Sequence, residues 1–208
     1  MATEIKKGRR YRKRRRAEQE AETRRRITEA AVKLHGTIGP AKTTVSGIAR
    51  EAGVQRATVY RHFPDEDAIF AACTAHFREL HPAPEVGEWA DIADPEERLR
   101  VALGEVYAFY ADTHRMFEST GRDADRVPAV RRASAAMMGY RDEARSVLLR
   151  GRRERGRART RVAAAIGHAL ALPTWRSLVR EQGLGEEEAV ELMVSLAASA
   201  GSRRAPGG

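Results

Sequence analysis

The sequence predicts an all-α protein: an N-terminal three-helix unit followed by a larger helical domain. Three observations lead there. Apolar residues recur at i, i+3, i+4 and i+7, the rhythm of a helix with one buried face. No segment shows sustained period-two alternation, so no strand is expected. Glycine and proline cluster between the periodic stretches, where helices stop.

The elements follow in order. Residues 1–16 are almost wholly basic, with Ile5 and Tyr11 as the large apolar groups. Charge at that density repels itself and finds no core, which predicts a disordered arm. Residues 17–64 hold the first unit. Its first helix starts near Ala17 and carries Ile27, Ala30, Ala31, Leu34 and Ile38, ending at Gly36, Gly39 and Pro40. Thr44 is placed to cap a short helix running to about Glu51. Gly53 supplies the positive φ of a tight turn, and a second short helix covers about Gln55 to His62. Pro64 breaks the chain, and Asp65 can cap a connecting helix over 65–80 with Ile69, Cys73 and Phe77 in one stripe.

Residues 81–208 form the second domain. HPAPEVGEWADIADPEER, with three prolines, reads as a connection. Leu99, Ala102, Leu103, Val106, Tyr107 and Tyr110 then make a helical stripe, and a further helix covers about Pro128 to Arg150. GRRERGRART is an arginine-rich connector before a helix interrupted at Pro173. The last helix, EEEAVELMVSLAASAG, puts Ala189, Leu192, Met193, Leu196 and Ala200 on one face, with Glu186 to Glu188 favourably at its N-terminus.

Charge divides the chain as the helices do. Residues 1–80 hold 18 basic and 10 acidic groups, a net +8, whereas 81–208 are nearly balanced at +1. That asymmetry predicts a polyanion-binding part joined to an electrically neutral one. Cys73 is the single cysteine, so neither an intrachain disulfide nor a thiolate cluster forms. No apolar run approaches the roughly 18 residues of a membrane span, and the N-terminus has no apolar signal core. A soluble, cytoplasmic protein without membrane contact is expected. Catalysis needs a nucleophile with a base, paired carboxylates or a metal set. The chain has no such motif. His76 and His81 have no third partner at metal spacing, so no metal and no cofactor are expected.

Within residues 43–63 the spacing is chemically specific. Ala49 is small enough for two helices to cross steeply. Gly53 turns between them, and Val59 faces inward from the second; Ile48, Ala52, Val54 and Phe63 complete the small core. This is a helix-turn-helix, which docks its second helix in a DNA major groove. Arg56, Ala57, Thr58, Tyr60, Arg61 and His62 are then left outside. Arginine can pair bidentately with guanine, alanine and threonine methyls touch thymine, and tyrosine and histidine donate to phosphates. The arm adds Arg12, Arg14, Arg15 and Arg16, which gain affinity by counterion release and can lie in a minor groove.

TTVSGIAREAGVQRATVYRHFPDEDAIFAA closely resembles the DNA-binding domain of the TetR (tetracycline-repressor-like) family of bacterial transcriptional regulators. The matching features are the threonine pair, IA-x-x-AGV, T-V-Y-x-H-F and a helix opening just after proline. The likeness is strong over residues 23–75 and weaker in RVAAAIGHALALPTWRSLVREQGLGEEEAVELMVSLAA. It implies a homodimer joined through its last two long helices, a C-terminal ligand-binding and dimerisation domain, and a repressor released from a palindromic double-stranded operator by a small-molecule effector. By that resemblance Thr44, Tyr60 and His62 would meet phosphate. Arg56, Ala57 and Arg61 would face base edges, and Thr58 could do either. Three places depart from the pattern. His35 stands where an apolar aromatic is usual. Glu66 stands where a lysine usually meets phosphate, and Val45 and Ser46 replace residues often polar or basic there.

The C-terminal half offers Tyr107, Tyr110, His114, Met137, Tyr140, Arg141 and His168 as candidate effector contacts, each with a core role as its rival. The run from Arg150 to Arg161 reads as a solvated loop, with an anion contact as the alternative. The alternative function is a constitutive DNA-binding protein with no effector.

Overall fold

The structure is a computed structural model that describes residues 2–202, with side chains from Tyr11 onward. Among the described residues there is no strand. The helices are α1 (Ala2–Thr37), α2 (Val45–Glu51), α3 (Arg56–His62), α4 (Glu66–Leu80), α5 (Val86–Trp89), α6 (Pro95–Gly121), α7 (Pro128–Leu148), α8 (Gly156–Ala169), α9 (Leu172–Trp175) and α10 (Glu186–Gly201). They fall into two compact units. The first holds the chain up to Leu80 together with Arg115–Arg131, and the second holds His81–His114 and the chain from Arg132 onward.

The first unit is a three-helix core closed by α4. Val59 on α3 and Phe63 just after its end are fully buried, and Ile27 and Ala31 of α1 and Ile48 and Ala49 of α2 pack with them. Thr44 Oγ1 caps α2 by accepting the Gly47 N–H at 3.0 Å, and Gly53 turns the chain at φ +63°. A side chain at Gly53 would be strained there and would meet the Arg26 guanidinium at 3.0 Å. Asp65 Oδ1 accepts the Ala68 N–H at 2.7 Å and caps α4.

Two expectations about this unit change. The predicted disordered arm is helix: α1 begins at Ala2, not near Ala17. Arginine and lysine are good helix formers, and Arg14–Glu18 and Arg16–Glu20 make i,i+4 pairs at 2.8 and 3.2 Å. The domain boundary at residue 81 is also incomplete, because residues 115–131 return to the first unit. Phe117 meets Phe77 edge-on at 6.3 Å, and the Asp123 carboxylate accepts the Ala41 N–H at 2.9 Å.

His35 fills the apolar aromatic position as a neutral ring. It is 6% exposed, with Nδ1 3.3 Å from Cys73 Sγ and its ring 5.5 Å from Phe70. Burial lowers its pKa to about 4 and raises that of the Cys73 thiol to about 12, so both are uncharged at neutral pH. An unfolded histidine takes its proton near pH 6.5, so the unfolded chain binds more protons than the folded one between pH 6.5 and 4. Stability is complete above that window and falls as pH drops through it. Between pH 7 and pH 5 the loss should be about 2 kcal/mol. Circular-dichroism melts of wild type and His35→Phe at both values check this: the variant should lose less, and parallel losses would remove His35 as the cause.

The second unit has its own core, with Trp89, Leu99, Leu103, Tyr107, Leu148 and Trp175 among its buried side chains. Residues 81–98 are more than a connection. Val86 and Trp89, three apart on α5, are both buried there, and the Trp89 indole donates to Glu105 at 2.8 Å. The break near Pro173 falls just ahead of it: α8 ends at Ala169, α9 starts at Leu172, and a π-helical turn follows over Arg176–Glu181. α10 packs on α8 through Ala189, Val190, Met193, Val194 and Ala197. The buried face is therefore rotated from the expected one, and Leu192 and Leu196 stay 46% and 42% exposed. Small residues let two helices approach closely, which leaves the leucine ridge open.

No helix among the described residues is long and apolar enough to cross a membrane. Nor do the described residues hold any group of three His, Cys, Asp or Glu that could bind a metal.

Candidate nucleic-acid interface

α3 presents one face to the core and the other to solvent. With Val59 and Phe63 buried, Arg56, Ala57, Tyr60 and Arg61 are exposed on the helix surface, while Thr58 is half-buried. Arg56 and Tyr60 lie one turn apart. The Arg56 guanidinium donates to Tyr60 Oη at 3.0 Å and lies 5.4 Å from the ring centroid. That hydrogen bond raises the Arg56 pKa, so the fork is both charged and held in one direction.

His62 differs from its expected role. It is half-buried, its Nε2 is covered and has no partner among the described residues, and burial with the nearby charges of Arg61 and Arg24 lowers its pKa. A ring in that state is a poor phosphate donor, since only the protonated or exposed ring offers a proton outward.

Sequence reasoning missed the two arginines that hold this helix. Arg24 of α1 donates to the His62 carbonyl at 2.5 Å and stacks 4.0 Å from the Phe63 ring centroid. Arg26 donates to the Ala52 carbonyl at the end of α2. In the sequence they merge with the basic run before Ile27, and nothing in their spacing sets them apart. Thr44 is exposed, and its hydroxyl proton stays available while the oxygen caps α2. Arg12, Arg14, Arg15 and Arg16 are exposed along α1. Glu66 is exposed in the first turn of α4.

The candidate effector residues in the second unit are largely structural. Tyr107 and Tyr110 are buried and donate to the carbonyls of Ala169 and Leu170 at 3.2 and 2.7 Å, where α8 ends. Burial raises both phenol pKa values, that of Tyr110 to about 12. Tyr140 donates to Pro84 at 3.0 Å, and Arg141 reaches Gly167 at 3.5 Å. Met137 is half-buried, and His168 is exposed beside Thr174. The His114 ring lies tilted against Trp175, with ring centroids 5.1 Å apart. The exception in this packing is Trp175, which is 1% exposed with its indole N–H unpaired among the described residues.

Residues 27–73 match the family described as bacterial regulatory proteins, tetR family. The chain is 35% identical over 95 residues to the HTH-type transcriptional regulator TtgR of Pseudomonas putida, which is 45% of each chain. It is 39% identical over 69 residues to TtgW of the same organism, an uncharacterized HTH-type transcriptional regulator, covering 32% of this chain and 52% of that one. The chain thus spans about half the length of the curated relatives it matches. Among solved structures, a TetR-like transcriptional regulator from Rhodococcus sp. RHA1 aligns with TM-score 0.64 at 21% identity, over 86% of this chain and 97% of that one. The regulator FadR from Bacillus subtilis, solved in complex with stearoyl-CoA, aligns with TM-score 0.56 at 19% identity, over 86% and 98%. These neighbours share the fold. The domain match and the regulator relatives agree on the same stretch: residues 27–73 are similar to the bacterial regulatory proteins of the tetR family.

Proposed function

We propose that this protein is a sequence-specific, DNA-binding transcriptional regulator of the cytoplasm, acting as a homodimeric repressor on a palindromic operator. The observation that carries the reading is the outer face of α3, where Arg56, Ala57, Tyr60 and Arg61 stand exposed on a helix anchored by Val59, Phe63 and Arg24. Thr44 and the arginines of α1 supply backbone contacts, and Arg56 and Arg61 read base edges. Selection from random duplex DNA tests it. Enrichment of a two-fold symmetric site supports the reading, and uniform recovery of all sequences overturns it.

Two substitutions separate the roles. Arg56→Ala should cost about 1–3 kcal/mol and relax preference at one position per half-site. Equal weakening on every sequence would make Arg56 a phosphate contact instead. Glu66→Lys should tighten binding to all duplexes and steepen the salt dependence by about one unit, because it trades a repelled phosphate for a contact. An unchanged salt slope places the start of α4 clear of the DNA backbone.

For regulation, the unpaired Trp175 indole beside His114 and the π-helical turn after it favour release by a small-molecule effector. Such turns are frequent at functional sites, and a buried donor without an acceptor is a place for one. The filled core around Tyr107 and Tyr110 favours the second reading, a constitutive DNA-binding protein. Repeating the selection with candidate ligands decides between them: a ligand that lowers operator occupancy in wild type but not in Trp175→Phe supports release through this site.

A further inference from the structure

The arginine run that reads as a solvated loop has a shape. Residues 149–161 contain seven arginines and one glutamate. Between the end of α7 and the start of α8 they border an open cleft of about 440 Å³ lined by Leu149, Arg150, Arg152, Arg153, Arg155 and Arg159. Arg152 and Arg155 are fixed from behind. Arg152 donates to the carbonyls of Leu148 at 3.2 Å and Pro95 at 3.0 Å, and Arg155 donates to those of Arg153 and Glu154 at 3.1 and 3.0 Å. None of Arg150, Arg153 and Arg159 is paired with a carboxylate among the described residues.

Glu154, Glu96 and Asp94 lie close enough to act on Arg152, the half-buried arginine at the back of the cleft, but none of them is among the lining residues. The Glu154 carboxylate lies against Gly201, with Oε2 buried and unpartnered. The backbone around the cleft adds to the imbalance. α8 starts at Gly156 with no acidic residue in its first turn and no side-chain cap, so its N-terminal amides and dipole add positive potential. Basic residues crowded there destabilise a helix unless an anion offsets them.

We infer that this cleft is an anion site that takes a small molecule carrying a diphosphate or similar cluster of negative oxygens, distinct from the DNA-facing surface. Guanidinium forks match phosphate oxygens bidentately, and several converging on one concavity suit more than one phosphate group. The volume lies within the range of small-molecule sites. A DNA backbone would instead need a basic stripe running across many phosphates, and the arginines here gather at one open depression.

The test is calorimetric titration of the full chain with inorganic pyrophosphate, adenosine diphosphate and, as the plain-charge control, sulfate. Pyrophosphate should bind at least about tenfold tighter than sulfate, and Arg153→Gln with Arg159→Gln should weaken it at least about tenfold. Both side chains are exposed, so the fold should persist, and a circular-dichroism melt checks it. Adenosine diphosphate binding as tightly as pyrophosphate assigns recognition to phosphate alone; tighter binding assigns the organic part a contact, with Leu149 as the apolar wall. Either supports the site. No binding in wild type, equal binding in the double variant, or loss only when Arg14 and Arg16 on α1 become glutamine would overturn it. So would weakened duplex-DNA binding in the cleft variant with no change in pyrophosphate affinity, which would assign these arginines to DNA.

Discussion

Replacing Leu192 and Leu196 together with glutamate should leave the chain folded and monomeric, with operator affinity lowered by about 100-fold or more. Both leucines sit on α10 with nearly half their surface exposed, while Ala189, Val190, Met193, Val194 and Ala197 of the same helix are buried. One turn apart, they form a ridge that the single chain leaves uncovered. A second copy offers the same ridge, and a two-fold interface is self-complementary by construction. Two glutamates would face two others across that axis, and like charges in a closing apolar interface oppose association. The effect on DNA follows from linkage: with two heads joined, the second binding event is effectively intramolecular, and separating them removes that gain. Light scattering after gel filtration gives the mass, and a titration with the selected operator gives the affinity. A dimer that persists in the double variant places the interface elsewhere. A monomer with unchanged affinity would remove the need for two heads.

What the sequence disclosed depended on whether a residue's role was local. Caps and turns were legible because each follows from chemistry within four residues: Thr44 to Gly47, Asp65 to Ala68 and the positive φ of Gly53. The inner face of α3 was legible for the same reason, as Val59 and Phe63 are one helical turn apart. Roles set by distant partners were not. The covered ring of His62 follows from packing, and its carbonyl is bound by Arg24, 38 residues away. The return of residues 115–131 to the first unit rests on Phe77 and Ala41. On α10 the periodicity put Leu192 and Leu196 on the inner face, and packing against the rest of the unit covers Val190, Val194 and Ala197 instead.

Arg98 is the clearest of these distant roles, and it carries the largest expected effect on stability. An arginine beside Leu99 at the start of α6 looks like a surface residue, yet it is 5% exposed. Among the described residues its guanidinium meets no carboxylate; it donates to the carbonyls of Ile92 at 2.5 Å, Val147 at 3.2 Å and Arg150 at 2.8 Å. It therefore ties the entry to α6 to the last turn of α7, where carbonyls have no partner within their own helix. Cation and carbonyl satisfy each other; without the guanidinium the Val147 carbonyl keeps the Arg150 N–H at 3.1 Å, but the Ile92 and Arg150 carbonyls lose this donor. Arg98→Ala should cost about 3 kcal/mol in the second unit, and Arg98→Lys should recover only part, since an ammonium cannot span the same acceptors. Both tryptophans of the chain, Trp89 and Trp175, lie in that unit, so their fluorescence during urea unfolding reports on it separately from the DNA-facing helices. A loss well under about 1 kcal/mol would mean water replaces the guanidinium at no great cost. A full loss with Arg98→Lys as well as Arg98→Ala would show that the planar fork, rather than its charge, closes this corner.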